Sequence, residues 1–454
     1  MANTYLTRSN GTSTEQKIFT FSAWVKRSAI STSGDKVLMA EYTDSNNRMK
    51  LQFKDDDFFE VYQVDGGSVR TQVKTNRKFR DSNGWYHMLI VGDNTQGTNT
   101  NRLKIYVNGV QETSFSVSTY PYSSTIPSIN ENSKTITIGN DDNGGSYFDG
   151  SMSHVHFVDG SALAPTVFGS TDSTTGEWRI NTSPSYTAGT NGFFILKDGN
   201  SVTDQSANSN NFTVGGGTLT KTEDNPSNNF CTLNPLTQHT YTFSNGNNTI
   251  VRGSSASSTM GTIAPSSGKW YWEVKLVSGQ SNYPRIGVYK ASNADNHIHT
   301  TYLGNASGGT GKWWGSGGSG SGNNIIADGN ASTTAFYSYT NGDILMFAMD
   351  NDNGKLWFGK NGTWYTNDNS TTTTGTAIGN GTATPAFSTL TVGENWAPSV
   401  FGNDSADVWS ANFGNGYFGT TAVSSAGTNT SGLGIFEYNV PAGFTALCTK
   451  GLNL

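Results

Sequence analysis

Three kinds of side-chain grouping in this sequence carry potential chemistry. The acidic run Asp55-Asp56-Asp57-Phe58-Phe59-Glu60 is the one place where paired carboxylates could serve glycoside hydrolysis. A retaining mechanism needs its two carboxyls about 5–5.5 Å apart, a spacing that strand residues at i and i+2 or i and i+4 can provide. The run precedes its strand instead of alternating along it, so it reads as a solvated acidic turn.

His154 with His156, and His297 with His299, stand at i and i+2, a spacing that puts two imidazoles on one strand face, as a metal pair requires. Neither pair has a third ligand that the sequence can place. Oxygen ligands are plentiful, which makes calcium the better-supported metal: Asp141, Asp142 and Asp149 gather around one turn, and Asp350 to Asn353 around another. Asp and Asn also build such turns with no metal at all.

Between Gly304 and Gly329 the chain is nearly all Gly, Ser and Asn apart from Lys312-Trp313-Trp314. Indoles in a polar loop can stack on the apolar face of a pyranose while amides and carboxylates bond its hydroxyls. They can equally anchor the loop onto the domain, and both readings stand. Trp364, Tyr365 and Trp396, near predicted strand ends, join Trp313 and Trp314 as candidate ligand-binding residues, whereas Trp270, Trp272 and Trp357 are predicted core. A GxSxG nucleophile elbow and a P-loop are absent, and the GxG clusters lie in polar stretches with no following helix.

The elements that must position these groups are strands. Among 454 residues there are 54 Gly and only 14% charged residues, few strong helix formers and many turn formers. Aromatic residues at 12%, with 11 Trp, provide apolar surface that argues against disorder. The length suggests two domains. A net charge of -6 without a basic block argues against nucleic acid as a partner. No apolar run approaches membrane-spanning length, and the opening MANTYLTRSNGTST lacks the apolar region of a secretory signal. The expectation is synthesis in a host cytoplasm, without membrane insertion and with release by a route needing no signal. Cys231 and Cys448 are too few for a disulfide scaffold; they are read as two buried thiols, with pairing after release as the alternative.

Along the chain, FTFSAWVK alternates as a strand, and strands over Val37 to Tyr42, Met49 to Phe53, Phe58 to Val64 and Ser68 to Val73 follow at sandwich spacing. WYHMLIVGD and LKIYV are inner strands, and Asn108-Gly109 turns the latter into a hairpin strand over Val110 to Val117. GFFILK and NFTV, within the polar stretch from Gly176 to Pro226, read as edge strands of the first domain. In the second half, KWYWEVKLV sets Trp270, Trp272, Val274 and Leu276 on one face. GDILMFAMDNDNGKLWFGKNGTWY spells three strands and both turns, with the first strand buried on both faces. The fold class is all-β, with two β-sandwich (jelly-roll) domains in tandem: 1–225, including a polar connector over about 171–225, and 226–454.

FTFSAWVKRS, WYHMLIV, LKIYVNG, ITIGN and YFDGSMSHVHFVDGSAL together resemble a laminin-G-like, concanavalin A-type jelly roll over about residues 4 to 170. His154 stands where such relatives commonly carry an acidic residue after the DG turn. The acidic run at 55–60 lacks the ExDxE-type spacing of the glycoside hydrolases of that fold. The order KWYWEVKLV, RIGVY, GDILMFAMDNDNGKLWFGKNGTWY, WAPSV and ANFG resembles a SPRY domain. The connector GTNGFFILKDGNSVTDQSANSNNFTV, then NPSNNFCTLNPL, and the closing PAGFTALCTKGLN resemble wording that recurs in tail and appendage proteins of marine phages.

These resemblances imply a non-enzymatic virion surface protein, a tail fibre, appendage or capsid-attached adhesin. Its implied partners are host glycans or neighbouring virion proteins, bound from a homo-oligomer or multi-copy array. A purely structural decoration or tail adaptor and a glycan-degrading hydrolase are the alternatives. No cofactor is expected apart from the calcium considered above.

Overall fold

A computed structural model describes residues 3–30, 34–141, 144–197, 201–237, 241–253, 257–279, 284–293, 311–315, 324–327, 330–368, 370–402 and 407–453. The chain forms two compact units, Met1–Lys221 with Asn225–Ser227, and Thr222–Asp224 with Asn228–Leu454.

The first unit is a sandwich of two antiparallel sheets. One runs Phe115–Thr119, Ser68–Lys78, Phe58–Asp65, Asn47–Phe53, Lys36–Asp44, Thr135–Ile138, Tyr5–Ser9, Thr213–Gly216. The other runs Phe193–Ile195, Gly150–Asp159, Ile18–Arg27, Tyr86–Asp93, Leu103–Val107, Val110–Gln111. Period-two alternation sends Phe19, Phe21, Ala23 and Val25 from one sheet and Met49, Leu51, Phe53, Phe59 and Val61 from the other into a shared core. The connector supplies an edge strand to each sheet, Phe193–Ile195 to one and Thr213–Gly216 to the other.

The hairpin strand expected over Val110 to Val117 stops after Gln111, and Phe115–Thr119 pairs with Ser68–Lys78 in the opposite sheet. Val110 is exposed and the Glu112 carboxylate turns inward to Arg77 at 2.7 Å. The chain changes sheets at this point.

The second unit is also a sandwich. Its larger sheet runs Tyr241–Ser244, Thr249–Arg252, Val408–Asn412, Lys269–Ser278, Ile344–Asp350, Lys355–Lys360, Thr363–Tyr365, Thr372–Thr373, with Thr445–Ala446 parallel to Lys269–Ser278. The smaller runs Ser257–Met260, Trp396–Gly402, Arg285–Lys290, Gly311–Gly315, Asn324–Ala327, Asn330–Ala335.

Ile344–Asp350 is buried on both faces, as its unbroken apolar run predicts. Leu345, Phe347 and Met349 face the core between the sheets, with Trp272 stacked on Phe347 at 5.2 Å. Met346 and Ala348 meet a different cover: Ile378 of the short helix Gly375–Gly379 with Phe436, Val440 and Phe444 of the C-terminal segment. That segment is tied down by Glu273, which accepts from the backbone N–H groups of Glu437 (2.9 Å) and Tyr438 (2.8 Å) and from the Tyr271 hydroxyl (2.8 Å). Burial pushes the Glu273 carboxyl up to about 7.

Register decides the cysteine question. Phe230 bridges Cys448, and the Cys231 N–H donates to the Leu447 carbonyl at 2.8 Å. Side chains alternate across a strand, so Cys231 joins Leu447 in the inter-sheet core while Cys448 joins Phe230 on the other side. The two thiols are buried, unbridged and on opposite faces.

Candidate carbohydrate-binding face

The aromatic residues expected to meet a ligand are core residues. Gly311–Gly315 is an interior strand, paired with Arg285–Lys290 on one side and Asn324–Ala327 on the other. Trp313 and Trp314 are both 0% exposed. The Trp313 ring folds back over Gly311, where a Cβ would lie 1.9 Å from it, and its indole N–H donates to Ser399 at 3.0 Å. Trp314 packs among Phe336, Tyr339 and Phe358 and donates to the Tyr337 carbonyl at 2.6 Å. Trp364 lies beside Tyr271 under the C-terminal segment, Tyr365 stacks on Tyr337 at 3.7 Å, and Trp396 is buried in the inter-sheet core. The glycine-rich wording hid a strand, because glycine here makes room for indoles.

The calcium turn is also spoken for. Asp141 holds the Lys50 ammonium at 2.9 Å and accepts from the Gly145 N–H at 3.2 Å, so a lysine occupies the position a cation would take. Asp149 is part-buried, and burial raises its carboxyl above the usual range. Asp142 lies outside the described residues, as do His297 and His299. Among the described residues no group of three or more His, Cys, Asp or Glu is placed to hold a metal.

His154 lies within a register shift between Ser153 and His156, with φ 49°. Ser153 binds the His154 ring at 2.8 Å and Tyr186 the His156 ring at 2.6 Å, with His156 stacked on Phe194. Burial holds the His156 imidazole neutral. His87 is a third buried imidazole. The Trp178 indole can only donate, so it assigns His87 Nδ1 as acceptor and His87 Nε2–H as donor to Ser22; burial lowers its pKa to about 3.

The acidic run is a solvated turn only at its start, where Asp55 is exposed and Asp56 part-exposed. Asp57 is fully buried, with φ 70°, and holds Arg27 at 3.1 Å and Arg80 at 2.8 Å. Arg27 also donates to the carbonyls of Phe79 and Ala29 and lies over the Phe53 ring. Asp56 takes Lys74 at 2.6 Å.

The outer face of the eight-stranded sheet is polar and half open. On Ser68–Lys78 the buried Thr71, Val73 and Thr75 alternate with the half-buried Gln72 and Lys74. One cross-strand row reads Thr119, Gln72, Tyr62, Lys50, and the next Val117, Lys74, Glu60, Gln52. Four strands at about 4.8 Å spacing make this roughly 14 Å wide. Beyond Lys50 the row is closed, since Ala40 and Thr137 are fully buried.

At the centre, Glu60 accepts from Gln72 Nε2 at 2.8 Å and Gln52 Nε2 at 2.9 Å, with Lys54 at 3.9 Å. Arg48 lies over the Tyr62 ring at 5.7 Å. Glu60 and Gln52 are buried, so the groups this face leaves to bond hydroxyls are the half-buried Gln72 amide, Tyr62 phenol and the Lys50 and Lys74 ammonium groups. The strand alternation could have revealed it, since Gln52, Glu60, Tyr62 and Gln72 all occupy outward positions.

Residues 1–168 match the family model of the Concanavalin A-like lectin/glucanases superfamily. Comparison with characterised proteins by sequence finds no match. Among solved structures, the chain is similar to the SPRY domain of human HERC1 (14% identity, 39% of this chain and 96% of that one, TM-score 0.29). It is also similar to the TRIM65 PSpry domain (14%, 40% and 91%, TM-score 0.28). A third similar structure is domain 4 of AbnA, a GH43 extracellular arabinanase from Geobacillus stearothermophilus, in complex with arabinotriose (20%, 34% and 65%, TM-score 0.25).

Proposed function

We propose that the protein is a non-enzymatic glycan-binding component of a phage virion surface, with the outer face of the first unit's larger sheet as its binding surface. The observation that carries the binding reading is the setting of Glu60, clamped by the two amides of Gln52 and Gln72. A glycosidase would instead need a second free carboxyl, about 5–5.5 Å away for retention or about 6.5–9.5 Å for inversion. The neighbouring acids Asp56 and Asp35 each hold a lysine, at 2.6 Å and 2.7 Å. The superfamily matched by residues 1–168 includes both lectins and glucanases by its description, so it supports a carbohydrate ligand and leaves the choice between binding and hydrolysis to the carboxylates. The virion placement rests on the connector and C-terminal wording of the sequence.

A single shallow sugar site has a dissociation constant of about 1 mM, about -4 kcal/mol. Display in many copies then supplies the avidity that one site lacks. A glycan array probed with the free protein, together with an assay for reducing ends released from bacterial envelope polysaccharide, tests the reading. Binding without release supports it, release overturns it, and a blank array turns the case toward a structural role among other virion proteins. Labelling intact particles with an antibody to this chain tests the location.

A further inference from the structure

At one end of the first unit, residues 120–134 link Phe115–Thr119 to Thr135–Ile138 with no regular structure. Long irregular connections in compact domains are usually functional or mobile. This one is held rigidly. Arg102 Nη1 donates to the Pro121 carbonyl (3.0 Å), Asn94 Nδ2 to Thr125 (2.8 Å), Gln63 Nε2 to Ile126 (3.0 Å) and Gln16 Nε2 to Pro127 (3.2 Å). Glu41 accepts from the backbone N–H groups of Asn130 (2.8 Å) and Glu131 (3.1 Å). Five side chains from different parts of the sandwich thus pin the backbone of one loop, as a preorganised site requires.

The pinned loop buries Ile129 and packs Tyr120 against the core, yet turns Tyr122 and Ile126 outward, at 64% and 51% exposure. They border a cleft of about 630 Å³ lined also by Asp65, Arg70, Glu131 and Asn132. The register between Phe58–Asp65 and Ser68–Lys78 slips at Gln63 and Val64, leaving Arg70 as the extra residue. Such bulges re-aim a side chain, and here Arg70 reaches Asp65 at 3.8 Å. Arg70 stands two positions from Gln72 and four from Lys74, so about 13 Å of strand joins the cleft to the open sheet face.

We propose that this cleft is the end subsite of a neutral linear oligosaccharide, one sugar ring stacking on Tyr122 and the next ones lying along Gln72 and Tyr62. The inference rests on the glycan-binding reading and adds a site and a ligand class to it. An exposed phenol ring matches the C–H face of a pyranose, and the carboxylates, guanidinium and amide match its hydroxyls. Neutrality at the Tyr122 end follows from charge: Asp65 already pairs with Arg70, and Glu131 adds a further acidic group, so a sulfated or uronate ring there meets excess negative charge.

The test uses full-length protein on an array of neutral oligosaccharides of increasing length, each printed also in sulfated form. Wild type, Tyr122→Ala, Tyr122→Phe and Tyr62→Ala are compared, with melting temperatures recorded. The expected result is a tenfold or greater loss of neutral-glycan signal in Tyr122→Ala, retention in Tyr122→Phe, stronger wild-type binding to longer chains, and unchanged melting. Equal binding by wild type and Tyr122→Ala, with loss only in Tyr62→Ala, overturns the cleft and leaves the sheet-face reading intact. Wild-type binding confined to sulfated chains overturns the ligand class, and no binding by wild type overturns both.

Discussion

Two aromatic-bearing segments, each irregular or glycine-rich in wording, met opposite fates. Gly311–Gly315, in the second unit, carries two indoles and buries both. Residues 120–134, in the first, carry two phenols; Tyr120 packs partly buried against the core while Tyr122 is left 64% exposed. The difference lies in where the backbone N–H and C=O groups find partners. In the first case they pair with strands on both sides, which forces alternate side chains onto sheet faces. In the second they are met by side chains of Arg102, Asn94, Gln63 and Gln16, which leaves side-chain directions free. Pairing on both edges therefore fixes the burial of both indoles, whereas the irregular loop can expose Tyr122 beside a half-buried Tyr120; composition is a poor guide to either outcome.

The comparison can be broken most severely at Trp314. Trp314→Ala should cost about 3–5 kcal/mol through loss of buried area and an unfilled cavity, seen as an early transition of the second unit in urea. A loss under 1 kcal/mol, by the general scale of surface changes, would show that the indole is not core.

The next effect concerns pH. Burial raises the carboxyls of Glu41 to about 8 and Glu273 to about 7 from 4.5. The folded state then holds more protons than the unfolded one above pH 4.5, so stability falls as pH rises through that window. The expected loss is on the order of a few kcal/mol for each group, complete in the second unit near pH 7 and in the first near pH 8. Urea midpoints at pH 5 and pH 8 check it. Glu41→Gln should flatten the dependence of the first unit, and midpoints that rise toward pH 8 would refute the assignment.

Loosening the pinned loop is a smaller perturbation. Asn94→Ala removes the donor to the buried Thr125 carbonyl and should cost about 1–3 kcal/mol, with faster amide exchange in residues 120–134. Unchanged exchange there would mean the loop does not depend on that bond. The smallest effect belongs to Tyr122→Ala, expected within about 0.5 kcal/mol of wild type because the ring is exposed. Equal destabilisation by Tyr122→Ala and Trp314→Ala would erase the contrast.

Much of the fold was legible. The alternation in FTFSAWVK and KWYWEVKLV named the inward faces correctly, and Asn361-Gly362 turns as its dipeptide demands, with φ 49° and 86°. The candidate site was far less so. Asp57 looked like part of a solvated turn until Arg27 and Arg80, distant in sequence, were found on it. Gln52, Glu60 and Gln72 become one hydrogen-bonded cluster only when three strands bring them into register. Tyr122 gave no periodic signal at all, since its exposure depends on bonds from five remote side chains.

The sequence by itself determined the all-β class, the strand faces and most of the turns, because period, turn dipeptides and β-propensity act over a few neighbouring residues. Only the tertiary structure decided that Phe115–Thr119 changes sheets, that Cys231 and Cys448 face apart, and which aromatics meet solvent. Those outcomes depend on cross-strand register and long-range hydrogen bonds, and a one-residue shift in register reverses them.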